Sequence, residues 1–442
     1  MVSLPTTTRR ELISRSSLNP FLAEHRGATR RHFLRLIAGG AAVTGILPRW
    51  VHGDELPAQC AEACKAFLEQ MEYFTPPRAF GNVSRGEPRP YDLPIDKKRE
   101  VGLTAETWRL EVVSDTEAGH EADLENPLTK ERGNAFDWDG LMKLAEKHAV
   151  CFPKIMTCNN IGAPLGMGIW EGVPLREVVW LARPKGNIRR VWYHGYHNDD
   201  PRQMFRSSLP IGRVLEDPFD LPPVILCYKL NGRPLDGPRG APARIVVPEM
   251  YGYKSVKWLT RIVLSNIPHA NDTYAEQNND VDSWMKTFAH SLHVPKPIKP
   301  GEPIPITGYA QVGISGLSRV QFWIAPKDAP RPADDTYFTK APWEEAHILP
   351  PPQTAARWGG DLPDGKLPAN LHGFNPATGR PKSWPMRLTL AHWAALHPGL
   401  PEGSYLLRTR SIDEKGVAQP MPRPFNKSGL NAIEETRIVI QS

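Results

Sequence analysis

The chain has 442 residues, 40% of them hydrophobic, with a formal net charge of +6. That length exceeds one ordinary domain. Its 46 prolines and 35 glycines are too many for a mostly helical protein, since proline lacks the amide donor and fixes φ. The positive excess is spread along the chain without a run or stripe, which argues against nucleic acid and suits a small anionic substrate or cofactor.

The first signal lies at residues 29–50, TRRHFLRLIAGGAAVTGILPRW. Arg30 and Arg31, then Phe33 and Leu34, precede a weakly apolar stretch over 36–47, the pattern of a twin-arginine export signal; a basic amphipathic anchor is the weaker alternative. The apolar run falls well short of the ~20 residues that span a bilayer, and no other segment reads as a membrane span. Residues 1–53 are therefore expected to be a signal peptide and the mature protein periplasmic. This route carries proteins that fold before export, commonly around a cofactor.

Residues 54–102 read as a short helix followed by a proline-rich extended segment. Cys60 and Cys64 on that helix either pair or, as preferred here, stay free thiols. Residues 103–292 read as one mixed α+β domain. Its pieces are the strand TWRLEV, the strand edge and helix FDWDGLMKLAEKHA, and the strands VCFPKIMTC, REVVWLA, IRRVWYHG, PPVILCYKL, ARIVVPEM and VKWLTRIVL. The proline-rich connector VPKPIKPGEPIPITG follows. Over 293–442 the strand-like runs TGYAQVG, SRVQFWIA, MRLTLAHWA, SYLLRTRSID and ETRIVIQS, without long helices, predict a β-sandwich.

Among motifs, GDLPDGK at 360–366 has P-loop spacing, but Leu367 stands where a Ser or Thr must ligate magnesium and no strand–loop–helix context surrounds it. No GxGxxG fingerprint is present. In YHGYHNDD, His194, His197, Asp199 and Asp200 are ligand types, though a polar loop is the commoner meaning. Cys151 and Cys227 sit in apolar runs and read as small buried hydrophobes. Cys158, in KIMTCNNIG, ends a strand where the chain turns polar, so core filler, disulfide, nucleophile and metal ligand are all open. In the stretch 243–264, Arg244 leaves a strand, and Lys254, Ser255 and Lys257 gather on the next turn before Trp258. Cations, a hydroxyl and amides on one turn can hold a phosphate; a solvated basic turn is the plainer meaning.

TCNNIGAPLGMGIWEGVPLREVV, with YKLNGRPL and GAPARIVVPEMYGYKSVKWL some seventy residues on, resembles the sulfite-oxidase family of molybdopterin (molybdenum cofactor) oxidoreductases. The match runs over about residues 108–264. ITGYAQVGISGLSRVQFWI and YLLRTRSIDEKGVAQPMPRPFN resemble that family's immunoglobulin-like C-terminal β-sandwich, which commonly serves dimerisation, so a homodimer is an expectation. The resemblance implies an α+β fold with a sulfite-oxidase-type mixed α/β molybdopterin-binding domain followed by the sandwich. It implies that Cys158 ligates molybdenum and that Arg244, Ser255 and Lys257, with Lys254 beside them, hold the pterin and its phosphate. Arg85, in VSRGEP, matches an arginine lining the reacting site. His197 falls where the family often has an acidic pterin contact, and Arg239 where it often has a histidine.

Two departures bear on the substrate. Sulfite-oxidising members follow the cysteine with Ala-Gly-Asn-Arg-Arg; here Asn159, Asn160, Ile161, Gly162 and Ala163 follow. Missing arginines mean missing charge-assisted hydrogen bonds, worth ~1.5–3 kcal/mol each. The active-site tyrosine has no clear counterpart either, since Tyr274 comes several residues early. The sequence contains no CxxCH motif, so no haem is expected in this chain, and electrons would pass to an external carrier such as a c-type cytochrome. The expected protein transfers an oxygen atom to or from a small substrate. The alternatives are an S- or N-oxide reductase on the same cofactor, or a cofactor-free binding protein that keeps the fold.

Overall fold

Three sheets organise the chain in a computed structural model that describes residues 55–160, 163–198, 200, 203–218, 220–270, 279–282, 284–420, 429 and 431–442. The export-signal region, Asp199 and Tyr274 lie outside these residues. The first sheet contains β1 (Arg109–Ser114), β2 (Phe136–Asp137), β5 (Arg190–Gly195), β6 (Arg206–Pro210) and β10 (Leu259–Ser265), ordered β2-β1-β10-β5-β6. Only the β1–β10 pairing in it is parallel. The second contains β3 (Val150–Met156), β4 (Gly166–Pro174), β7 (Ile225–Leu230), β8 (Arg233–Pro234) and β9 (Arg244–Val246), with β9 pairing β7 beyond the end of β8. Their inward side chains form a common core. Leu110, Val112, Ile155, Ile169, Leu226 and Ile262 are all essentially inaccessible, each burial contributing ~1.5–3 kcal/mol.

The sandwich is the third sheet: β11 (Phe288–His293), β12 (Ile304–Gln311), β13 (Arg319–Pro326), β14 (Glu344–Ile348), β15 (Leu390–His397), β16 (Gly403–Ile412) and β17 (Glu434–Ile440). Their order is β11-β12-β15-β14-β13-β16-β17. Strand β14 pairs with β13 through Glu344–Ala346 and with β15 through His347 and Ile348, so one strand passes between the two layers. The far edges also meet. Ser291 Oγ lies 3.1 Å from Thr436 Oγ1, and Thr409 Oγ1 donates to Ala289 O at 3.1 Å. Strand β11 belongs to this sheet, so the sandwich begins a few residues before the boundary expected at 292/293.

Among the described residues the helices are α1 (Ala58–Leu68), α2 (Ile95–Glu100), α3 (Trp138–His148), α4 (Leu175–Leu181), α5 (Ile211–Leu215) and α6 (Ala355–Trp358). Asp137 caps α3 by accepting from Gly140 N at 2.9 Å. Helix α4 corrects the strand expected for REVVWLA: Leu175, Val178 and Val179 are buried at helical spacing while Trp180 is 51% exposed. Strand β4 escaped the sequence reading because glycines interrupt it. Gly172 is required there, because a Cβ would lie 2.4 Å from Leu226 O of the paired strand. All five cysteines are free, buried thiols, and burial pushes Cys64 up to about 12. Among the described residues, no helix is long and apolar enough to cross a membrane.

Candidate cofactor site

Strand β3 is buried along nearly its whole length and releases the chain at Met156, so Thr157 and Cys158 emerge at its end. Cys158 is buried, and its thiol lies 2.7 Å from Asn160 Oδ1. The turn after β9 is pinned to the same point, since Gly252 N donates to Thr157 O at 2.7 Å. A third wall comes from a strap over residues 77–89. Gly81 N donates to Leu165 O at 2.6 Å, and Gly86 passes so close to His197 O that a Cβ would lie 1.9 Å from it. The left-handed φ of +86° at Gly86 adds a second reason for glycine there.

The cavity between these walls is cationic. Arg244 is buried over the Trp170 ring at 5.2 Å and donates to Arg239 O at 2.9 Å and Ser255 O at 2.5 Å. Burial pulls its guanidinium down to about 10. Arg239 donates to Pro77 O at 2.6 Å and to Phe80 O, while its buried Nε has no hydrogen-bond partner and lies 3.8 Å from an Asp236 oxygen. Lys257 donates to Asn82 Oδ1 at 2.6 Å and to Val83 O and Pro238 O at 2.9 Å. Burial, then the neighbouring Arg244 and Arg239, push it down to about 6. Ser255 Oγ accepts from Val247 N at 3.1 Å.

His197 is held neutral, its pKa pushed down to about 4, chiefly by burial with Arg85 and Lys257 adding to it. Its Nδ1 lies 2.9 Å from Gly195 O, which fixes the tautomer with the proton on Nδ1 and leaves Nε2 an acceptor. Phe205 and Trp258 meet the ring edge-on. Arg85 lays its guanidinium 4.0 Å over the Phe205 ring.

Seven of the eight expected site residues therefore line one cavity: Arg85, Cys158, His197, Arg239, Arg244, Ser255 and Lys257. Lys254 does not. It is wholly buried on the other side of the turn, donating to Ser208 O at 2.9 Å and lying 3.7 Å from Asp282. The structure adds Phe80, Asn82 and Val83 from the strap, which composition marks only as proline-rich loop. It also adds Trp258, whose φ is +53°. The P-loop-like GDLPDGK forms a surface turn at Pro363–Gly365. His194 Nδ1 contacts Met204 Sδ at 3.1 Å, and no cluster of three His, Cys, Asp or Glu ligands occurs among the described residues.

This donor set fits an anionic, phosphate-bearing cofactor whose metal takes a thiolate. The cations crowd one another beside a half-exposed carboxylate, Asp236, and buried Asn159 Nδ2 next to Cys158 has no partner. Residues 102–273 match the family described as the oxidoreductase molybdopterin binding domain. The chain thus carries an oxidoreductase molybdopterin-binding domain and is similar to the sulfite-oxidase family. It is 31% identical over 119 residues to the mitochondrial sulfite oxidase of Drosophila melanogaster and 30% over 134 residues to a nitrate reductase [NADPH] of Fusarium oxysporum. Those alignments cover 26% and 30% of this chain, but only 19% and 14% of the relatives. A longer one, 29% over 254 residues, joins it to the protein-methionine-sulfoxide reductase catalytic subunit MsrP of Ralstonia nicotianae, covering 54% of this chain and 69% of that protein. The sulfane dehydrogenase SoxCD of Paracoccus pantotrophus superposes with a TM-score of 0.51 at 18% identity, over 77% of this chain and 79% of that one. That likeness shows that the two proteins share a fold over most of this chain.

Proposed function

We propose that this protein is an exported molybdenum-cofactor oxidoreductase that passes an oxygen atom to or from a small substrate and exchanges electrons with an external carrier. The observation that carries the reading is a buried thiol opening into a cavity whose cations donate mostly to carbonyls, with half-exposed Asp236 the carboxylate beside Arg239. When bound, the molybdenum centre supplies the oxygen-atom and two-electron chemistry. Cys158 is its thiolate ligand. Arg239, Arg244 and Lys257 hold the phosphate and pterin by charge-assisted hydrogen bonds, with Ser255 bracing the turn. His197 offers Nε2 to an N–H of the pterin ring. Arg85 and the strap close the mouth and exclude water. Export by the twin-arginine signal and dimerisation through the sandwich belong to the same proposal.

For direction, we favour reduction of a neutral S-oxide. Cys158 is followed by Asn159 and Asn160, which can hydrogen-bond a neutral oxide but lack the charge for a dianion, and an alignment over 254 residues is with a methionine-sulfoxide reductase. Elemental analysis of protein made in molybdenum-replete cells should find the metal; its absence would leave a cofactor-free binding protein. Paired assays, sulfoxides with reduced viologen against sulfite with ferricyanide, decide the direction. Turnover of sulfite alone would reverse it.

A further inference from the structure

A second cavity lies behind the indole of Trp258. Its volume is about 350 Å³, inside the range of ligand pockets, roughly 300–1,000 Å³. Tyr91, Trp138, Tyr228 and Trp258 line it, and Lys98 is the cation in its lining. The polar ends of three of these rings are committed elsewhere. The Tyr91 hydroxyl lies 2.5 Å from Ser84 Oγ, Tyr228 donates to Glu171 at 2.9 Å, and Trp258 Nε1 donates to Gly237 O at 2.9 Å. These rings therefore offer apolar aromatic surface. Lys97 and Arg99 pair with Glu100 and Asp96, whereas Lys98 has no carboxylate partner among the described residues.

Trp258 lines both cavities. It is 1% exposed and sits at φ +53°, a strained conformation for a bulky residue that persists where its surroundings over-determine it. The next strand does so here: Tyr196 N donates to Trp258 O at 2.8 Å, and Leu259 N to Ala243 O at 3.0 Å. On the far side the Tyr91 ring lies 6.2 Å from the indole, at 31° to it. A strained indole is thus held as the partition between an aromatic cavity and a cationic one.

We propose that the second cavity binds a planar, conjugated two-electron carrier, a flavin or quinone ring with an anionic or carbonyl oxygen toward Lys98, and that electrons cross the Trp258 partition. The electron part rests on the function proposed above; the binding part does not. The balance closes. The reduced carrier gives up two electrons and two protons and becomes oxidised, while an S-oxide takes two electrons and two protons and leaves as sulfide and water.

Flavin mononucleotide and, separately, menadione are titrated into the full-length protein, following flavin emission for the first and tryptophan emission for the second. Saturable, quenched one-to-one binding of either is expected, and whichever binds identifies the carrier. Ala105→Trp fills this cavity away from the first and should weaken that binding at least about tenfold, ~1.4 kcal/mol. Turnover of S-oxide with reduced viologen should stay at the wild-type rate in that variant, while turnover driven by the reduced carrier is lost. Lys98→Gln, a helix-surface change, should weaken flavin mononucleotide more than menadione. Binding of neither carrier, or binding to Ala105→Trp as tight as to wild type, overturns the proposal. Failure of the wild type to turn over S-oxide with viologen counts against the proposed function alone, since binding is read without turnover.

Discussion

Buried cations in two regions of this molecule keep different company. In the sandwich, Arg408 Nε donates to Glu435 Oε1 at 2.9 Å beneath the Trp323 and Phe338 rings, and Arg331 closes on the same carboxylate through two bonds of 2.8 Å. In the cofactor cavity, Arg239, Arg244 and Lys257 donate to backbone carbonyls and one side-chain amide. A carbonyl satisfies an N–H, but its dipole leaves the unit charge uncancelled. The sandwich cations are finished structure. In the cavity Arg244 keeps a charge that carbonyls do not neutralise, Arg239 has half-exposed Asp236 at 3.8 Å, and Lys257 gives up its proton above about pH 6. On the function proposed above, the anion that completes them is the cofactor phosphate.

The largest effect should come from Cys158→Ser. On the proposed function it removes a metal ligand, which costs more than the ~10–100-fold typical of the groups that merely support one, so activity should fall below about a hundredth while pterin is partly retained. Full turnover with an artificial electron donor would remove Cys158 from the metal. Next comes a matched pair. Arg244→Met should weaken cofactor retention at least about tenfold, because charge-assisted hydrogen bonds of roughly 1.5–3 kcal/mol are lost. Arg408→Met should lower stability by about 1–3 kcal/mol, since Arg331 still covers Glu435, and leave cofactor content unchanged. Pterin released on denaturation and the melting temperature read the two quantities. Equal pterin loss in both variants would erase the contrast between the regions.

Lys257 sharpens the contrast through pH. Its folded value is about 6, below the ordinary lysine value of about 10.4. Between these, the unfolded chain holds a proton that the folded, cofactor-free protein lacks. The Lys257 contribution therefore raises stability as pH climbs through that window and withdraws it as pH falls toward 6. A bound phosphate favours the ammonium form, so binding inorganic phosphate to cofactor-free protein at pH 8 should take up about one proton. Calorimetry in buffers of different ionisation enthalpy measures it. In Lys257→Gln the uptake should vanish; an undiminished uptake would place the phosphate elsewhere.

Much of this was legible in the sequence where local pattern and position coincide. The apolar run of β3 ending at Cys158, and the cluster around Lys257, point to the site because each is contiguous in the chain. REVVWLA was misread because seven residues, rich in β-branched and aromatic types, cannot separate a 3.6 period from a run of buried strand. The strap over 77–89 was missed for another reason. Its proline-rich composition fixes local conformation, but the carbonyls of Pro77, Phe80 and Val83 acquire a role only when Arg239 and Lys257, more than 150 residues away, reach them. Tertiary placement decides that, and no short-range signal carries it.

The same limit produced the error at Lys254, which supplies the smallest expected effect on the cofactor. Sequence places Lys254 and Lys257 on one basic turn, three residues apart. The tight turn Gly252–Lys254, held by Lys254 N donating to Tyr251 O and Ser255 N to Gly252 O at 3.0 Å each, sends the two side chains to opposite sides. Lys254 reaches Ser208 O of β6, so it fastens the turn to the first sheet. Lys254→Met should therefore cost about 1–3 kcal/mol of stability, from the lost bond and the carbonyl left behind. Cofactor affinity in whatever folds should stay within about twofold of wild type. Loss of cofactor as severe as in Arg244→Met, at a temperature where the variant is still folded, would return Lys254 to the cavity wall. It would also mean that the turn presents both lysines to one face once the anion is bound.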